Sequence, residues 1–134
     1  MSNPKDKYGD VKPQLHLVPA SSLVASARVF ELGAKKYGPF NWRDDPVKLS
    51  VYVAAAKRHL DSAFDGQDLD GESGESHFAH VMSCMAILID AAHCGTLIDD
   101  RPPPGNAHEL MAAKKPLEIV EHSLALQMRD RHSA

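Results

Sequence analysis

Aromatic side chains are scarce in this sequence. Only 6% of its 134 residues are Phe, Trp or Tyr, too few for the stacking platform on which single strands of nucleic acid are bound. A basic surface is missing as well. The formal net charge is −3 and no stripe of lysine and arginine stands out, which argues against stable nucleic-acid binding. Cysteine is nearly absent. The two that occur, Cys84 and Cys94, stand ten residues apart on one predicted helix, about 15 Å along its axis and beyond the reach of a disulfide. Both are expected to be small buried residues in a reducing cytoplasm.

Long apolar runs are also lacking. No stretch reaches transmembrane length, and Met1–Lys7 has no signal-peptide core, so a cytoplasmic protein without membrane contact is expected. There is no CxxC or HExxH pattern, no adjacent His-Asp pair and no Walker-type glycine loop. Zinc hydrolases of those kinds, His-Asp phosphohydrolases and P-loop nucleotidases are thereby set aside. The length suits one domain with a modest core.

What the chain does have is an acidic, glycine-punctuated run from Asp65 to His80. It carries five carboxylates (Asp65, Asp68, Asp70, Glu72, Glu75) and two imidazoles, His77 and His80. Carboxylate oxygens are the ligands that Mg²⁺ and Mn²⁺ prefer. Gly66, Gly71 and Gly74 let the backbone turn so that side chains converge. A solvated acidic loop is the plain alternative, but His77 and His80 lie one helical turn apart and follow the acids directly.

Periodicity predicts helices around this loop and no sheet. Residues 1–19 read as an extended arm, with a short strand near Leu15–Val18. A first helix should begin after Pro19 with Ser21 or Ser22 as N-cap, carry Leu23, Ala27, Phe30 and Ala34 on its apolar face, and end at Gly38. Residues 38–45 read as a loop, and Asp45-Pro46 as the start of a second helix. Its apolar face would be Leu49, Val53, Ala56, Leu60 and Phe64, leaving His59 off the packing face. A third helix is expected from about Glu75 to Cys94, with His77, Val81, Cys84, Leu88 and Ala91 in line and Gly95 as cap. The run Asp99–Gly105, with three successive prolines, reads as a stiff linker, and residues 107–114 and 117–130 look helical. The expected fold is all-α: a catalytic helical domain over 20–98 with three core helices, and a linker and C-terminal helical segment over 99–134.

Other residues fit a site without requiring one. Lys35 and Lys36 close the first helix, where the macrodipole alone favours cations. Phe40-Asn41-Trp42-Arg43 supplies a ring, an amide and a cation, the parts of a nucleotide pocket, although Trp42 could equally plug the core. Arg58 beside His59 could meet a phosphate. Asp90, inside an apolar helix, needs a partner or water.

Three strings, Gly33–Arg43 (GAKKYGPFNWR), Arg58–Leu60 (RHL) and Asp68–His80 (DLDGESGESHFAH), resemble a phage family of dATP/dGTP diphosphohydrolases. That family is related to the all-α MazG-like nucleotide pyrophosphohydrolases, and its MazZ members serve phages that replace adenine by 2-aminoadenine. The resemblance covers roughly residues 20–94. It implies a MazG-like fold, two or more Mg²⁺ or Mn²⁺ ions, and cleavage of dGTP, or dATP, to the monophosphate and pyrophosphate. By that resemblance His59, Asp68, Asp70, Glu72 and His80 are metal ligands, with Asp70, Glu72 and His77 catalytic. Lys35, Lys36, Tyr37, Asn41 and Trp42 would bind substrate, with Arg58 beside them. Gln67 stands where the family pattern has a glutamate. The paired Glu-x-x-Glu and Glu-x-x-Asp of MazG proteins are not matched; Glu72-Ser-Gly-Glu75 has the first spacing, but in a loop. Amphipathic helices on so short a chain also imply a homo-oligomer, a dimer or tetramer. The rival reading is a non-catalytic phage accessory protein whose loop binds metal structurally.

Overall fold

The computed structural model describes residues 3–113 and 126–129. The chain divides into two units, residues 1–101 and 102–134. Within the first, the expected extended arm instead holds a short helix, α1 (Pro4–Gly9), and a 3₁₀ turn over Leu15–Leu17. Asn3 caps α1 by accepting from the Lys5 N–H at 3.0 Å. The 3₁₀ turn lies where a strand was expected. Leu15, Leu17 and Val18 find no strand to pair with among the described residues and remain exposed.

Helix α2 (Ala20–Tyr37) starts two or three residues earlier than a cap at Ser21 or Ser22 would give, because Pro19 is the cap. Ser22 lies inside the helix and donates its hydroxyl back to the Pro19 carbonyl at 2.8 Å. Gly38 ends it at φ 87°, its N–H donating to the Ala34 carbonyl. Phe40 then takes a left-handed conformation, φ 55°, which a side chain normally avoids. That reversal starts a single helical turn, α3 (Asn41–Asp44), inside the segment expected to be a loop.

Asp45-Pro46 does not open the next helix. Val47 and Lys48 form a two-residue strand, β1, and α4 (Leu49–Phe64) begins after it. The reason is a competing partner: β1 pairs in parallel with β2 (Leu97–Ile98), Val47 opposite Leu97, and the Val47 N–H donates to the Thr96 carbonyl at 3.0 Å. This small pair is a correction to the expectation of no sheet, and the fold is all-α in every other respect among the described residues. Helix α5 (His77–Cys94) begins two residues after Glu75 because Ser76 caps it, accepting from the Phe78 N–H. Gly95, at φ 74°, closes it. The second unit contains α6 (Ala107–Ala112), and residues 126–129 are helical. The rest of the expected 117–130 helix lies outside the described residues.

Helix α5 packs chiefly on α4 and next on α2. Small residues line these contacts: Ser26, Ala56, Ala79, Ser83 and Ala91 are buried, which lets the helix backbones approach closely. The Ser26 and Ser83 hydroxyls meet at 3.1 Å, and Ser83 also donates to the Ala79 carbonyl at 2.9 Å, so burial leaves neither unsatisfied. The apolar stripes were partly misread. Leu23 and Ala27 of α2 and Leu60 and Phe64 of α4 are exposed, Phe64 at 97%. The α4 face turned inward keeps Ala56 of the expected stripe and adds His59. The α5 stripe stands, with His77 and Ala91 buried at its ends. Cys94 is exposed, contrary to expectation, while Cys84 is half-buried. Among the described residues α5 is long and apolar enough to cross a membrane, which corrects the expectation of no such run. It is also the central helix of its unit, and His77, Ser83 and Asp90 on it each have a hydrogen-bond partner.

Candidate functional site

The loop from Asp65 to Ser76 folds back on itself before entering α5. Leu69 and Ser76 bridge in antiparallel fashion. The Asp70 N–H donates to the Glu75 carbonyl, the Gly74 N–H to the Asp70 carbonyl, and the His77 N–H to the Asp68 carbonyl. Gly74 sits at φ 73°, a conformation that suits glycine. The tight turn brings Asp70 over the start of α5, beside His59 from α4.

Three donor groups meet there. Ligand atoms of His59, Asp70 and His77 all lie within 4.8 Å of one another. The Nδ1 atoms of His59 and His77 are 2.8 Å apart. His77 is only 3% exposed, and its Nε2 lies 2.7 Å from the Gln67 Oε1. His80 stacks on His59 with ring centroids 4.3 Å apart and planes 5° from parallel. Its Nε2 is 2.7 Å from the Ser73 Oγ and 3.9 Å from the Asp70 Oδ2. Burial, then the nearby His80, pushes the His59 pKa down, favouring a neutral ring with a lone pair to offer. Asp70 is also held below the usual carboxylate range, first by the Ser73 N–H, which donates to its Oδ2 at 2.8 Å. Two imidazoles beside a charged carboxylate can hold a divalent ion. The donor set thus fits a divalent metal ion, with nitrogen outnumbering oxygen in it.

The expected ligands are only partly gathered. Asp68 is exposed and its carboxylate is outside the cluster; its carbonyl anchors the loop instead. Glu72 points outward, its side chain 88% exposed and 3.9 Å from the Lys36 Nζ. Glycines 71 and 74 turn the chain so sharply that alternate acids cannot all face one point. His80 flanks the cluster without joining the group of three.

Two adjoining cavities open beside it. The smaller, about 410 Å³, is walled by His59, Asp70, Glu72, Ser73, His80 and Lys36, among others. The larger, about 670 Å³, is mostly apolar, with Phe30, Phe40, Asn41, Trp42 and Tyr52 in its wall. Val29, Gly33, Tyr37 and His80 border both. Each is within the size range of small-molecule sites. Lys35, Arg58 and His77 line neither cavity.

Trp42 is 7% exposed and packs between Phe30 and Phe40, with ring centroids 5.7 and 5.4 Å away. Its Nε1 donates to the Asp90 Oδ2 at 2.7 Å. It is therefore part of the core as well as the cavity wall, and not a free stacking platform. Arg43 grips the same carboxylate through two bonds of 2.8 and 3.0 Å and lies 4.5 Å above the Phe40 ring. Those bonds, Arg43's first and then Trp42's, hold Asp90 down at about 2. Sequence reasoning noted Gln67 only as a lost ligand, and missed its contact with His77, the part of Ser73 and this Arg43–Asp90 grip. Only the unpaired look of Asp90 in an apolar helix pointed toward the last.

Helical packing and the His59–Asp70–His77 cluster define a small all-α protein with a metal-type centre beside a two-part cleft. Residues 2–101 match the model of the dATP/dGTP diphosphohydrolase N-terminal family, and the chain belongs to that family. It is 29% identical over 125 residues to a dATP/dGTP diphosphohydrolase of Salmonella phage PMBT28, covering 90% of this chain and 42% of that protein. The chain thus spans less than half the length of that relative. No solved structure gives a significant match.

Proposed function

We propose that the protein is a divalent-metal-dependent hydrolase that converts a purine deoxynucleoside triphosphate, dGTP foremost and dATP second, to the monophosphate and pyrophosphate. One observation carries this reading: a cavity walled by His59 and Asp70 of the metal-type cluster adjoins an apolar cavity of about 670 Å³. A triphosphate next to the cluster and a base in the apolar part would use both. The family and the named phage relative supply the nucleotide class.

His59, Asp70 and His77 would hold the ion. When bound, a divalent ion lowers the pKa of water and offsets phosphate charge. The remaining roles fall to the chain. Water adds to the α-phosphorus, the bond from that phosphorus to the bridging oxygen breaks, and pyrophosphate leaves. His80, on the border of both cavities and held by Ser73, is positioned to take the proton of the water. Lys36 on the rim faces the charge of the triphosphate, with Lys35 and Arg58 further out. Phe30, Phe40 and Trp42 form the wall against the base, and Asn41 offers an amide to its edge. His77, its Nε2 held by Gln67, would offer Nδ1 as a ligand and not carry the proton. The reaction would take place in the host cytoplasm, supplying dGMP toward 2-aminoadenine nucleotides.

The test is to incubate the chain with each dNTP and Mg²⁺, Mn²⁺ or Co²⁺, and to separate pyrophosphate from orthophosphate. Pyrophosphate with a purine preference supports the reading. Orthophosphate alone would mean removal of the terminal phosphate, and no turnover would favour a structural metal-binding role.

A further inference from the structure

The three donor groups of the cluster are each oriented by a neighbour. Asp70 is fixed by the Ser73 N–H at 2.8 Å, and His59 by its stack on His80. His77 is fixed by Gln67. An amide oxygen only accepts, so the 2.7 Å contact between Gln67 Oε1 and His77 Nε2 places the hydrogen on Nε2. The neutral ring then carries its lone pair on Nδ1, which faces His59 at 2.8 Å. His59 donates its own Nδ1–H across that contact. Shifting that hydrogen to the other nitrogen of His59 exposes two lone pairs side by side without changing any charge. Such support of ligating imidazoles by outer partners is the usual arrangement at metal centres.

The same geometry sorts metals. Mg²⁺ binds oxygen in an octahedral shell and retains water reluctant to leave, while imidazole suits later first-row ions. The acids that would have made an oxygen-rich site, Asp68 and Glu72, lie outside the cluster. We infer that His59, His77 and Asp70 form a nitrogen-rich centre selective for ions of the Zn²⁺ and Co²⁺ class over Mg²⁺, with Gln67 as the positioning residue that sets the His77 tautomer. This rests on the metal-dependent reading above, and changes Gln67 from a lost ligand into a support.

The test uses the full chain, stripped with a chelator and titrated with Co²⁺ while the visible absorption of the bound ion is followed. A saturable band should appear, persist in a large excess of Mg²⁺, and vanish on adding equimolar Zn²⁺. His59→Ala should abolish it, separating the cluster from the histidines elsewhere in the chain. Gln67 is exposed, so its replacement does not open the core. Gln67→Leu should weaken Co²⁺ binding about 10- to 100-fold with an unchanged helical circular dichroism spectrum, and Gln67→Glu, which keeps an acceptor, should bind like the parent. Displacement of Co²⁺ by comparable Mg²⁺, or parental affinity in Gln67→Leu, would overturn the inference. Nucleotide turnover on the same samples keeps the two ideas apart. Co²⁺ uptake without cleavage of any dNTP would remove the proposed function and leave the metal centre standing. Cleavage with Mg²⁺ and no Co²⁺ uptake would do the reverse.

Discussion

At the scale of single residues, the acidic loop separates into acids that reach the cluster and acids that do not. Asp70 contributes a carboxylate to it, whereas Glu72 is almost fully exposed near Lys36. Asp70→Ala should therefore reduce pyrophosphate release at least about 100-fold, by analogy with loss of a charge-stabilising group, and leave the helical spectrum intact. Glu72→Ala should retain most of the rate. Equal losses in steady-state kinetics would contradict this ranking. Trp42, which the sequence left open between pocket and core, is a core residue that also faces the cavity. Its ring is buried and its nitrogen bonded, so Trp42→Ala should lower unfolding free energy by about 3–5 kcal/mol, measured by denaturant titration. A drop below about 1 kcal/mol would mean that the ring is not a core element. Asp70, His59 and His80 were legible because acids and imidazoles at close spacing stand out in any sequence. Gln67 was not. A neutral amide reads as a missing ligand until the atom it faces is known.

At the scale of elements, α3 is tied to α5 through one carboxylate. Asp90 accepts from both Arg43 and Trp42 and titrates at about 2 in the folded protein, against about 3.9 in an unfolded chain. The folded state then binds fewer protons, so this contribution is complete above about pH 4 and is lost as pH falls toward 2. Urea midpoints should fall over that range, and Asp90→Asn should be less stable at neutral pH while losing that part of the acid dependence. Parallel acid profiles for parent and variant would count against the tie. Helix ends were readable at Gly38 and Gly95, where a positive φ suits glycine. Helix faces were harder. The α4 face carrying His59 was taken as outward because it is polar, yet it turns inward because the site occupies the helix contact. The αL turn at Phe40 and the Val47–Leu97 pairing depend on distant partners, which local patterns do not register.

At the scale of the whole molecule, no large apolar side chain among the described residues is fully buried, and Phe78, Met82 and Ile89 lie exposed along α5. Exposed apolar side chains along one helix are the motive for expecting a homo-oligomer. Light scattering at micromolar concentration should give a dimer or tetramer, and Met82→Glu should shift it toward monomer; a parental monomer would refute the assignment. A different consequence follows from the shortness of the segment that makes the cluster. Every donor and support lies between His59 and His80, and the widest bonded pair, His59 with His77, is 18 residues apart. Closing so short a loop loses little chain entropy, so an unfolded chain retains some hold on an ion. Linkage counts only the difference in affinity between folded and unfolded forms. Saturating Co²⁺ should therefore raise Tm by less than its measured Kd implies, and full agreement between the two in calorimetry would show that the unfolded chain releases the ion entirely.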